Sequence, residues 1–200
     1  MPKVGMKHVV AAPIDIDREV SGQPLTYLPG LIATRAVSAD LTYTRDENEY
    51  YADDVLSESD NSATGGDVSI AGSEFLPDAR VALFNVRKIT NEGDVPIYRT
   101  TSVPAPQIGL GYMTTLIYKG KYMYIANWIH KMQFALSGES ARTKGATIDW
   151  QNETATGKMM AAIIDSSGEP AFKDEVVFEK AGDAIAWLNE KAHITEPAEE

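Results

Sequence analysis

From Leu31 to Tyr43 the chain alternates: Leu31, Ala33, Val37, Ala39 and Leu41 fall on one face, Thr34, Ser38, Asp40 and Thr42 on the other. Alternation with period two predicts a strand buried on one side, here a long one. Gly65–Gly72, GGDVSIAG, reads as its returning partner, but the connection between them is far too long for a tight turn. Phe75–Val86 is the first helix candidate: Pro77 suits a first turn, Asp78 the positive end, and Val81, Leu83 and Phe84 supply apolar contact. Asn91–Gln107 contains Pro96, Pro104 and Pro106 and reads as an irregular excursion. Ile108–Phe134 is the strongest hairpin signal, two apolar and aromatic runs around Lys119-Gly120-Lys121.

Farther along, Thr143–Asn152 and Lys158–Ile164 predict another strand pair, joined around Glu153-Thr154-Ala155-Thr156. Ser166-Ser167-Gly168 turns the chain toward a short strand at Glu175–Phe178. Gly182–Ala192 predicts an amphipathic helix with Ala184, Ile185 and Leu188 as its stripe and Trp187 beside it. The expected class is mainly β, a sandwich or partial barrel with two short flanking helices. No internal repeat is evident.

Composition narrows the choice. Two hundred residues fit one domain, read as 1–193, followed by a disordered tail at 194–200. Without cysteine there is no disulfide framework and no thiolate metal site. The opening MPKVGMKHVVAAPID has no apolar run of signal-peptide length, and no stretch approaches a membrane span, so the expectation is a soluble protein made in the cytoplasm. Eighteen basic against 29 acidic residues give a net charge of −11, which disfavours nucleic-acid binding and suits a surface that must not stick to DNA.

The segment Tyr50–Ser62, YYADDVLSESDNS, gathers Asp53, Asp54, Glu58 and Asp60. As a calcium loop starting at Asp60, it fits at Ser62, Thr64 and Gly65 and fails at the twelfth position, which is Ala71. His8, His130 and His193 form no metal-binding array, and His130, beside Trp128, reads as a packing or interface residue. Gly109-Leu110-Gly111 lacks the third glycine and the following helix of a dinucleotide fingerprint. Glu139, Asp149 and Glu153 read as isolated carboxylates on strands. The expectation is therefore no enzyme and no cofactor. Long alternating strands with one small, polar face suit a sheet lining a water-filled space.

Four stretches carry a resemblance: MPKVGMKHVVAAPI, AVSADLTYTRDENEYYADDVLSESDNS, WIHKMQFALSGESARTKGATIDWQ and DAIAWLNEKA. In this order, over nearly the whole chain, they resemble major tail tube proteins of long-tailed, non-contractile bacteriophages. YADD…ESDNS and AWLNEKA are the most specific parts. The resemblance implies hexameric rings stacked into a hollow virion tail tube, assembled in the host cytoplasm around a tape-measure protein. DNA later passes through without specific binding. Each subunit would give paired hairpins to an inner β-barrel shared between subunits, a fold also found in type VI secretion tubes. The partners would be further copies of the chain, the tape-measure protein, the tail terminator and the distal tail proteins, with no membrane. Some members carry an added immunoglobulin-like domain, which is not expected here because the sequence ends soon after AWLNEKA.

On this reading Asp40, Thr42, Asp67, Ser69, Asp149 and Gln151 line the lumen. The excursion Asp46–Thr64 becomes a contact arm reaching the next ring, with Tyr50, Tyr51, Val55 and Leu56 as anchors among Asp53, Asp54 and Glu58. Lys119, Lys121, Lys131, Arg142 and Lys144 are its candidate counter-charges. The alternative is a β-sandwich module binding carbohydrate or calcium through the acidic 53–60 loop, with Tyr112, Tyr118 and Tyr122 as a stacking platform.

Overall fold

The alternating segments form the long antiparallel strands β2 (Leu31–Arg45) and β5 (Ala63–Phe75), registered from Thr34 opposite Phe75 to Arg45 opposite Ala63. A computed structural model describes residues 3–16, 24–46, 48–52, 55–60, 62–90, 95–135, 152–165 and 167–194. Strands β1 (Lys3–Pro13), β8 (Gln107–Tyr118), β9 (Lys121–Ala135) and β10 (Glu153–Met160) complete a closed six-stranded barrel. The strand order is β10-β5-β2-β1-β8-β9, and β10 pairs back onto β9. The architecture is mainly β with two helices, and the barrel closes within one chain.

The barrel interior collects the inward residues of each strand. Val9, Ala11, Val68, Ile70, Ile108, Leu110, Ile129, Met132, Ala155 and Met159 are all buried there. A fully buried Ile or Leu stabilises by about 1.5–3 kcal/mol, so this cluster dominates the fold. Helix α1 (Pro77–Leu83) follows β5 and adds Ala79 and Leu83 to the same core. Beyond it, Phe84 stacks edge-to-face on Phe75 with ring centroids 5.5 Å apart.

The outer faces of β1, β8 and β9 are also buried. Helix α2 (Ala181–Lys191) lays Ala184 and Leu188 on Val10, Ala12, Met113, Ala126 and Trp128. Burial on both faces explains the nearly unbroken apolar run of β8 and β9. Gly109 and Gly111 sit in β8 beneath Trp128, where a Cβ would lie 2.6 and 2.7 Å from indole carbons. The glycine pair therefore makes room for a tryptophan.

Several expectations change. The predicted helix shortens to Pro77–Leu83, and Val86–Thr90 (β6) then pairs with Pro96–Thr100 (β7), so the proline-bearing excursion contains a hairpin. Pro96 opens its strand, a position that needs no ladder donor. Glu153–Thr156 is not a turn but the first half of β10, registered against β5, and from Thr156 onward β10 is registered against β9 as well. Gly109-Leu110-Gly111 lies inside a strand rather than before one. β1 was not marked by alternation, because Val9, Val10, Ala11 and Ala12 are all buried.

The acidic segment is also not a plain loop. Asn48–Ala52 (β3) pairs with Val55–Asp60 (β4), and Asp46 N donates to Ser62 O at 3.2 Å. The β2–β5 ladder thus continues outward as a second hairpin. Strands β11 (Ala162–Ile163), β12 (Pro170–Ala171) and β13 (Lys173–Phe178) follow β10. β13 borders β9 from Ile129 to Tyr124, next to the stretch that β10 borders. The expected strand Thr143–Asn152 falls largely outside the described residues, as does the tail from 195.

Candidate functional site

The lining candidates Asp40, Thr42, Asp67 and Ser69 come together. Thr42 faces Asp67 and Asp40 faces Ser69 across the β2–β5 ladder, while Val68 and Ile70 between them point into the core. The register runs on across β10 and β9. One row reads Thr42, Asp67, Lys158, Gln133 and the next reads Asp40, Ser69, Thr156, Ala135. Four strands thus carry a continuous outward face of hydroxyls, small residues and a few charges. Asp149 and Gln151 lie outside the described residues.

Sequence reasoning missed Thr154 and Thr156 on this face because it placed Glu153–Thr156 in a turn, and it put Lys158 at the start of a strand without assigning it to this face. Their alternation with the buried Ala155, Gly157 and Met159 was the available signal. Lys158 also alters the electrostatics, since its Nζ lies 2.6 Å from an Asp67 carboxylate oxygen. The pair is exposed and contributes little to stability. It offsets one of the two aspartates, so the face is mixed rather than uniformly acidic. Gln133 Nε2 donates to Ala105 O at 2.5 Å and ties the Ser102–Ala105 strap beside the rows. Strap and strands border an open depression of about 490 Å³.

The arm candidates Tyr50, Tyr51, Val55, Leu56 and Glu58 lie in β3 and β4, with Tyr50 opposite Glu58 and Tyr51 opposite Leu56. Asp53 and Asp54 lie outside the described residues. The arm leaves the strand ends at Arg45 and Ala63. The β8–β9 turn, with Lys119 and Gly120 at φ 48° and 78°, leaves from this same end of the barrel strands. Lys131 sits on β9 opposite Met160, whereas Arg142 and Lys144 lie outside the described residues.

The binding-module alternative loses its platform. Tyr112 is 6% exposed and belongs to the barrel core, so it cannot share a stacking surface with the exposed Tyr118 and Tyr122. Its burial, followed by nearby Glu175, Tyr43 and Asp40, pushes the phenol pKa up to about 12. The candidate calcium loop from Asp60 runs into β5, an extended strand that cannot wrap an ion. Among the described residues no group of three or more His, Asp and Glu side chains is placed to hold a metal ion.

His130, at 2% exposure, belongs to a polar chain that runs from the interior to the half-exposed Asp174 and Lys191. Trp128 Nε1 donates to Tyr27 Oη, and Tyr27 Oη donates to the His130 carbonyl, both at 3.0 Å. The His130 ring meets Asp174 Oδ1 at 3.1 Å, and Lys191 Nζ reaches Asp174 Oδ2 at 3.4 Å. His130 N also donates to Phe172 O at 3.0 Å, where the edge of β9 passes from β10 to β13. Burial lowers the imidazole pKa against the opposing pull of Asp174. The chain joins β9, β13, α2 and the segment before β2 around the buried ring. It is a packing lock.

Among the described residues no helix is long and apolar enough to cross a membrane. Compared with models of known protein families the chain matches none, and compared with curated proteins it matches none either.

Proposed function

We propose that the chain is a structural subunit that polymerises as stacked hexameric rings into a hollow phage tail tube through which DNA passes. One observation carries the reading. β2 pairs with β1 only as far as Thr34, and among the described residues no strand takes the same edge from 36 to 45. An open edge of that length, without proline, is a template for another strand, and monomeric proteins normally blunt such edges. It continues into the β3–β4 hairpin and borders the polar rows of β2, β5, β10 and β9. Neighbouring copies that use this edge would extend the sheet from subunit to subunit. The polar rows would then face a shared channel. Hydroxyls and a carboxylate excess there would let a polyanion slide without adhering.

The resemblance to siphophage tail tube proteins supplies the remaining partners, namely the tape-measure, tail terminator and distal tail proteins. The proposed site of action is the virion tail. Negative-stain images of the purified protein test the reading. Long hollow filaments or sixfold rings are expected; a monodisperse monomer at all concentrations would refute it.

A further inference from the structure

The two peripheral hairpins lie on connections from opposite ends of the barrel strands. β3–β4 joins the end of β2 to the start of β5, whereas β6–β7 lies between the end of β5 and the start of β8. Their charges are opposite where it matters. Between Asp46 and Asp60 the sequence carries seven carboxylates and no Lys or Arg. In β6–β7, Arg87 sits directly opposite Arg99. Both are exposed, and no ion pair with a carboxylate is formed by either among the described residues. Like charges directly opposed on a ladder are destabilising unless something negative covers them. The Arg87–Arg99 rung lies at the root of its hairpin, three rungs from Thr90 opposite Pro96.

The same face continues with Ile89 opposite Ile97, and Ile97 is 38% exposed. The other face is engaged with the body of the protein: Val86 packs toward the barrel core and Lys88 Nζ lies 3.2 Å from Asp78. The outward face therefore pairs a cationic rung with an aliphatic one. The arm sequence ENEYYADDVLSESD supplies the matching chemistry, carboxylates interleaved with Tyr50, Tyr51, Val55 and Leu56.

We propose that the outward face of β6–β7, through Arg87, Arg99, Ile89 and Ile97, is the seat for the β3–β4 hairpin of the next copy along the tube. The inference rests on the tube reading and assigns the arm its partner. An acidic hairpin meeting a cationic seat on a different connection makes a heterologous, head-to-tail contact, which propagates into an open filament when its rotation does not close into a ring. The seat differs from Lys119 and Lys121, whose turn leaves from the arm's own end of the strands.

Charge reversal tests it. R87E/R99E should raise the critical concentration for polymerisation by about tenfold or more, with an unchanged melting temperature, because attraction becomes repulsion. Adding E58K/D60K to that variant, two arm carboxylates that share one face of β4, should restore assembly. In a second measurement, Glu58→Cys and Arg99→Cys in this cysteine-free chain should yield a ladder of disulfide-linked oligomers on mild oxidation of assembled protein. If wild type polymerises and R87E/R99E does so equally well, the seat is wrong and the tube reading stands. A loss that arm reversal does not restore, or oxidation without a ladder, also overturns the seat. If wild type never polymerises, the tube reading fails and takes the inference with it.

Discussion

Trp128 shows how single residues set the spacing between barrel and helix. Its indole lies over Gly109 and Gly111, packs edge-to-face with Tyr27 at 5.1 Å and hands its N–H to the Tyr27 hydroxyl. The GLG sequence could be seen to fail as a nucleotide motif. Its packing role could not be read, because the side chain it accommodates comes from another strand. His130 was legible as a packing residue from its neighbours, but its partners Asp174 and Lys191 come from elements that only the fold brings near. Its buried ring resists protonation, whereas the unfolded chain titrates near the ordinary 6.5. Between the depressed folded value and 6.5 the unfolded state holds more protons, so stability rises with pH across that window. Acidification through it should cost up to about 1.4 kcal/mol per pH unit. His130→Gln should flatten that slope in denaturant titrations; an unchanged slope would assign the titration to another group.

At the scale of elements, strands buried on one face were readable and those buried on both were not. β2 and β5 alternate and were found; β1 has four consecutive buried residues and was not. β10 alternates as clearly as β2, yet its Glu-Thr-Ala-Thr opening resembles turn chemistry, and only its pairing with both β5 and β9 decides the matter. The arm's strand pair is hard to read for a different reason: with Tyr50 beside Tyr51 and Val55 beside Leu56 its sequence carries no period of two. Deleting Asn48–Ser59 should leave the barrel folded, because β2 and β5 remain registered to Arg45 and Ala63. The stability change should stay below about 1 kcal/mol, as shortening a loop alters closure entropy only slowly. Circular dichroism melts should overlay those of wild type while electron micrographs show no tubes. Normal tubes from the deletion would sink the arm's role.

For the whole molecule, barrel closure within one chain leaves assembly to what lies outside the ladder. That is the open edge of β2, the two peripheral hairpins and the polar rows across β2, β5, β10 and β9. Together they suit the proposed contact between copies and a wet, non-adhesive channel. The sequence pattern indicated a β-rich class and a small, polar strand face. It could not show that six strands close on themselves, because closure depends on β10 meeting β9 across a segment outside the described residues. These surfaces are proposed to build a hollow tube. A cryo-electron microscopy reconstruction of the assembled protein tests it most directly. A sixfold tube with Asp40, Thr42, Asp67 and Ser69 facing a water-filled channel is expected; a solid filament, or a tube with those residues on its outer wall, would refute the proposal.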